Sequence, residues 1–150
     1  MMLARRTART LGLTLTAAAA LTFGGALPAQ ASPNIPLNTG QEAPRPTGAG
    51  GAHGMMQWDV DEGSSSFCFD LDVSGLSSPA VAAHIHIGGR NAPGPVVLPL
   101  DVPNDTEFSI GECVVADPAL LAAIHADPSA YYINVHTAVN PRGEIRGQLK

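Results

Sequence analysis

Two neighbouring stretches of the chain, between residues 56 and 73, alternate apolar and polar side chains with a period of two. This period is typical of β-strands that have one dry and one wet face, and it does not suit a helix. A polar segment rich in Gly and Ser, residues 61–66, separates the two stretches and predicts the turn of a hairpin. The apolar positions of the two strands are Met56, Trp58 and Val60, then Phe67, Phe69, Leu71 and Val73.

Further short apolar segments, each bounded by turn residues, predict more strands. They cover residues 35–37, 81–87, 96–100, 106–110, 131–136 and 143–149. One helix is expected, opened by Asp117-Pro118, closed by Asp127-Pro128 and carrying the apolar stripe Leu120, Leu121 and Ile124. The 16 Gly and 13 Pro suit many turns. The prediction is an all-β, antiparallel, two-sheet β-sandwich with one short helix.

Residues 1–31 have the pattern of a secretory signal peptide. Basic residues come first, an uncharged apolar run follows over residues 11–27, and Ala29-Gln30-Ala31 is a small-x-small cleavage site. The alternative is an uncleaved membrane anchor, but Gly24-Gly25 and Pro28 interrupt the run. We therefore expect a secreted protein whose single domain occupies residues 32–150.

The domain predicted for the exported protein is acidic. Residues 32–150 contain 5 basic and all 13 acidic residues, which is a net charge of −8 with histidine neutral. Such a surface repels nucleic acid and anionic lipid, so neither is an expected partner after signal cleavage.

Both cysteines, Cys68 and Cys113, lie in the predicted domain. Export to an oxidising environment predicts that they pair in a disulfide. The alternative is a pair of metal-binding thiolates, although neither cysteine has the spacing of a known metal motif. Cys68 falls on the polar side of its strand, so its partner is expected to reach it from a loop or a sheet edge.

Three histidines have a pattern that favours metal binding. His84 and His86 share one face of their strand, opposite Ala83, Ile85 and Ile87, and His136 lies on the face of its strand opposite Ile133 and Val135. If the two strands are neighbours, three imidazoles can meet and bind Cu²⁺ or, less suitably, Zn²⁺. His53 and Met55 are possible additional ligands.

The alternative is that these histidines only hydrogen-bond backbone or carboxylate groups, with Glu144 and Arg146 as candidate partners of His136. Cation–π or ligand roles for Tyr131 and Tyr132 have weaker support. The sequence contains neither a Gly-x-Ser-x-Gly nucleophile motif nor a glycine-rich phosphate loop, and no catalytic residues are assigned. This favours a protein that is not an enzyme.

Several motifs, in order, resemble the CHRD domain, which is named from chordin and occurs in secreted bacterial proteins. They are residues 38–44 (NTGQEAP), 83–88 (AHIHIG), 94–97 (GPVV), 131–137 (YYINVHT) and 143–149 (GEIRGQL). The resemblance runs from about residue 35 to residue 149. It implies an immunoglobulin-like all-β sandwich in an extracellular protein, and it implies no known reaction. The bone morphogenetic proteins that chordin antagonises are not expected as partners of a bacterial single-domain protein.

A more distant resemblance concerns the histidines. The His84-x-His86 strand and the later Val135-His136 pair are similar to the copper-ligand layout of copper–zinc superoxide dismutases, which are also β-sandwiches or flattened barrels. The bridging histidine and the zinc ligands have no counterpart, so this resemblance implies at most a mononuclear copper site. Two hypotheses follow. One is a non-enzymatic module that binds an unknown extracellular partner or belongs to the envelope, and the other is a copper-binding protein with a role in metal handling or weak redox chemistry.

Overall fold

The computed structural model describes residues 33–48 and 50–150 of the chain. The signal peptide predicted over residues 1–31 lies outside the described residues. Eight strands are present in this part of the chain, and they are β1 (Ile35–Asn38), β2 (His53–Asp61), β3 (Ser66–Ser74), β4 (Ala80–Ile87), β5 (Val96–Leu100), β6 (Phe108–Val115), β7 (Tyr131–Thr137) and β8 (Ile145–Gln148).

One α-helix, α1 (Pro118–Ala126), lies between β6 and β7. The side chain of Asp117 caps it by accepting a hydrogen bond of 2.7 Å from the Ala119 backbone N–H. Leu121 and Ile124 on its apolar face are buried in the core. The predicted helix, its cap and its apolar face are confirmed.

The strands form one antiparallel sheet in the order β5-β4-β7-β8-β1-β2-β3-β6. The all-β fold class is confirmed, and the two predicted layers are halves of one continuous sheet. Strand β1 joins the two halves, because it pairs with β2 on one side and with β8 on the other. Both halves contribute side chains to a single apolar core, so the sheet curves around that core and is nearly a barrel.

The apolar side chains of the predicted hairpin face the core, as the alternation predicts. Met56, Phe67 and Leu71 are almost fully buried in the core. Ile87, expected on the core face of β4, is instead 40% exposed, because it is the last residue of its strand and lies beyond a register shift between Ile85 and His86. None of the helices in the described ranges has the length and apolar character that crossing a bilayer demands.

Strand β6 begins and ends later than the predicted strand over residues 106–110. This places Cys113 within the strand, directly opposite Cys68 on β3. The two residues form a disulfide, which confirms the predicted pairing. Since β6 is the last strand of the sheet, the partner of Cys68 does come from a sheet edge.

Candidate metal centre

The structure brings His84, His86 and His136 together. Each offers a ring nitrogen, and these three atoms all lie within 4.8 Å of one another. The sheet register explains this, since β4 and β7 are antiparallel neighbours and His136 is paired with Ala82, two residues from His84. The three imidazoles therefore occupy adjacent positions on one face of the sheet.

Backbone carbonyl groups set which nitrogen carries the proton in two of the rings. Nδ1 of His86 lies 2.8 Å from the carbonyl oxygen of Gly94, and Nδ1 of His136 lies 3.1 Å from that of Pro141. A carbonyl oxygen can only accept a hydrogen bond, so each Nδ1 must be the donor. In the neutral rings, both Nε2 atoms then carry a lone pair and no proton, which is the state that binds a metal ion.

The third ring already contacts one of these lone pairs. Nδ1 of His84 lies 2.9 Å from Nε2 of His136, and since His136 Nε2 is an acceptor, His84 donates. His84 is half-buried, whereas His86 and His136 are only 7% and 8% exposed. His84 can bind a metal through Nδ1 only in the tautomer whose proton is on Nε2, because the metal needs the Nδ1 lone pair.

Burial favours the uncharged form of two of the three rings, those of His84 and His136. Burial lowers the pKa of His136 to about 4, and positive charge on His84 or His86 would lower it further, while the hydrogen bond to Pro141 opposes the change. Burial and the neighbouring His86 also lower the pKa of His84. Neutral imidazole is the form that ligates metals, so His84 and His136 need not lose a proton near neutral pH.

Nε2 of His86 is buried and has no hydrogen-bond partner in the described structure. A buried polar atom without a partner is costly, and such atoms call for a specific explanation. Here the unpaired atom belongs to a residue of the three-histidine group, and a metal ion would satisfy it.

Tyr132 and Arg146 lie beside the site in an arrangement that the sequence did not predict. The ring of Tyr132 stacks on His86, with centroids 4.8 Å apart and planes 7° from parallel. The guanidinium carbon of Arg146 lies 3.3 Å from the Tyr132 ring centroid. The structure therefore shows a cation–π contact of Tyr132, for which the sequence provided only weak support. Position provided a signal, because Tyr132 lies four residues before His136 and shares its strand face.

Glu144 and Arg146 do not pair with His136. The Glu144 carboxylate accepts hydrogen bonds from Ser77, Thr137 and Asn140. Burial alone would raise the pKa of Glu144, but these hydrogen bonds outweigh it and lower the pKa. Arg146 and Glu144 are also fully buried, although strand alternation puts both on the face opposite the core residue Ile145. The loop after β4 covers Arg146, which donates to carbonyl oxygens of that loop, and Ser77, between β3 and β4, covers Glu144.

His53 and Met55 are not brought to the three histidines. They lie on β2, which is separated from β7 by β1 and β8. Nδ1 of His53 bonds the carbonyl of Gly51 at 2.8 Å, and both residues line a surface cleft beside Asp72. His53 is absent from the cluster of potential ligands that the described residues form.

A single curved antiparallel domain, with a disulfide to its edge strand and polar residues gathered on one outer face, belongs to the class of small disulfide-bonded β-modules. The model of the CHRD domain family matches residues 34–149. The chain belongs to the CHRD domain family, and the resemblance seen in the motifs is confirmed. CHRD domains are extracellular modules. Searches of curated proteins and of solved structures found no match to the chain.

Proposed function

We propose that this protein is a secreted CHRD module that binds one copper ion through His84, His86 and His136. The proposal includes export and cleavage after residue 31, in agreement with an extracellular family and a disulfide. One observation carries the copper proposal. Two backbone carbonyls keep the protons of His86 and His136 on Nδ1, so both Nε2 atoms carry a lone pair within a compact group of three rings, and that of His86 has no other partner in the described residues.

The chemistry of the donors favours copper. Imidazole nitrogen suits Cu²⁺ and Zn²⁺, and for a given set of nitrogen ligands Cu²⁺ binds more tightly in the general order of divalent ions. Three protein ligands leave a further coordination position, and the half-buried His84 is the member of the group that reaches solvent. The proposed role is metal handling, with no enzymatic step assigned.

The test is a Cu²⁺ titration of the exported protein, followed by electron paramagnetic resonance. We expect one ion per chain and nitrogen hyperfine structure from imidazole. His84→Ala and His136→Ala should each weaken binding by more than the about 10- to 100-fold typical of losing an outer hydrogen-bond partner of a ligand. His125→Ala is the matched control, because His125 is exposed on α1. Unchanged affinity and spectrum in both site variants would refute the proposal.

Export is tested on the same preparation. Mass spectrometry of the protein from the culture medium should show Ser32 as the first residue. Retention of residues 1–31 on a membrane-bound protein would support the anchor instead.

A second candidate is a non-enzymatic module that binds an extracellular protein or belongs to the envelope without using a metal. Membership of an extracellular family favours it. If this is the function, the copper titration should show no binding at one ion per chain. The histidine variants then keep wild-type association with cell-envelope material, measured by sedimentation of washed envelopes.

A further inference from the structure

The Tyr132 ring lies between two side chains from the neighbouring strands. His86 comes from β4 on one side of β7, and Arg146 comes from β8 on the other. The His86 ring stacks on Tyr132 with centroids 4.8 Å apart, and the Arg146 guanidinium carbon is 3.3 Å from the ring centroid. Tyr132 is itself only 3% exposed, so its ring and that of His86 have little freedom to turn.

Gly94 connects Tyr132 to the same histidine a second time. The Gly94 N–H donates to the Tyr132 hydroxyl at 3.1 Å, while its carbonyl oxygen accepts from Nδ1 of His86 at 2.8 Å. A side chain at this position would overlap the carbonyl oxygen of Ile87, so only glycine lets the loop approach β4 this closely.

Strand β8 holds the segment around Gly94 in place. Arg146 donates to the carbonyl oxygens of Gly89 at 2.7 Å and Ala92 at 3.0 Å. Gln148 donates to that of Gly88 at 2.8 Å. The carbonyl that sets the proton position in His86 therefore belongs to a loop tied at several points to the face that carries Tyr132.

We propose that Tyr132 is a positioning residue of the copper site, which holds His86 with its Nε2 lone pair directed at the metal. The inference rests on the proposed function. Tyr132 acts in two ways, through the ring that stacks on the imidazole and through the hydroxyl that fixes Gly94. Outer partners of this kind set the tautomer and orientation of ligating histidines, and their loss commonly weakens metal affinity about 10- to 100-fold.

Three variants separate these contributions. Tyr132→Phe keeps the stacked ring and removes the bond to Gly94, whereas Tyr132→Leu removes both. Tyr131→Phe is the matched control, because Tyr131 precedes Tyr132 on β7 and packs in the apolar core on the other face. Circular dichroism verifies that each variant is folded.

The first measurement needs no metal. Nitrogen-15 NMR of the imidazoles reports which nitrogen of His86 carries the proton. We expect the Nδ1–H form alone in the wild type and in Tyr131→Phe, and a mixture of tautomers in Tyr132→Leu. If His86 stays wholly in the Nδ1–H form in both Tyr132 variants, the positioning role is refuted.

The second measurement is copper affinity with the resonance spectrum. We expect the dissociation constant to rise about 10- to 100-fold in Tyr132→Leu, with altered hyperfine coupling, and by less in Tyr132→Phe. Should Tyr132→Leu unfold, Tyr132→Phe decides alone, and its wild-type affinity and spectrum would overturn the inference. If His84→Ala abolishes binding while both Tyr132 variants bind normally, the copper function stands and the positioning role falls. If the wild type binds no copper, the proposed function falls, and with it this role in a copper site.

Discussion

Glu42 is a buried carboxyl group whose charge should make the stability of this protein depend on pH. It directly follows the short 3-10 turn Thr39–Gln41, is 5% exposed, and its Oε1 atom has no hydrogen-bond partner in the described structure. Gly143, at φ +120°, faces it, and a Cβ atom there would overlap Oε1. Burial raises the pKa of Glu42 from 4.5 to about 7, although the positive charge of Arg146 opposes the rise.

The size and sign of the effect follow from linkage. Between the unfolded pKa and the folded pKa, the native state binds more protons than the unfolded state, so the free energy of unfolding falls as pH rises. The stabilisation by the protonated carboxyl is fully present below pH 4.5 and is lost as pH rises through about 7. A pKa difference of about 2.5 corresponds to about 3 kcal/mol.

The perturbation that isolates this group is Glu42→Gln, which keeps the shape and cannot ionise. Urea unfolding of both proteins at several values between pH 5 and pH 8.5 gives the difference in free energy of unfolding. As pH rises across this range, the free energy of unfolding of the wild type should fall by about 3 kcal/mol relative to that of the variant. His136, whose low pKa acts in the opposite direction, is present in both proteins and cancels.

The control is Glu62→Gln, at an exposed position in the β2–β3 turn. It should show no such trend. A difference between Glu42→Gln and wild type that stays constant with pH would show that Glu42 is ionised in the folded protein at neutral pH, and would refute the reasoning.

Two further predictions concern stability. Reducing the Cys68–Cys113 disulfide should lower the free energy of unfolding by about 4 kcal/mol, the chain-entropy value for its separation of 45 residues, and an unchanged thermal melt in dithiothreitol would contradict this. Glu144→Gln should cost about 2–4 kcal/mol, since the carboxylate accepts bonds of 2.6 and 2.7 Å from Ser77 and 2.7 Å from Thr137, and an amide must turn a donor toward one of them. Urea unfolding measures this cost, and a loss no larger than that of the exposed control Glu112→Gln would exclude it.

Much of the site was predictable from strand period, because alternation is a local property of the chain. His84 and His86 were placed on one face from their spacing alone, and that expectation needed only an extended backbone. The same rule applied to Tyr132, Asn134 and His136, but it cannot tell whether a non-core face meets solvent or a covering loop. For that reason the burial of Glu144 and Arg146 was not foreseen.

The bounds of β6, the strand that carries Cys113, show the same limit. The polar position of Cys68 indicated a partner from a loop or a sheet edge, and the strand predicted over residues 106–110 ended before Cys113, whereas the observed β6 includes it. Strand bounds depend on pairing with the neighbouring strand, and the register between β3 and β6 carries β6 through Val115.

By itself, the sequence determined the all-β class, the helix capped by Asp117 and the strand face of His84, His86 and His136, because dihedral preferences and side-chain alternation are local properties of the chain. It also predicted the disulfide, since Cys68 and Cys113 are its two cysteines. Only the tertiary structure decided that β4 and β7 are neighbours, in a register that sets His136 beside His84. It also decided that the segment around Gly94 folds back to bond His86 and Tyr132. Strand order and loop closure depend on the packing of residues distant in sequence around one core, and no local pattern encodes that choice.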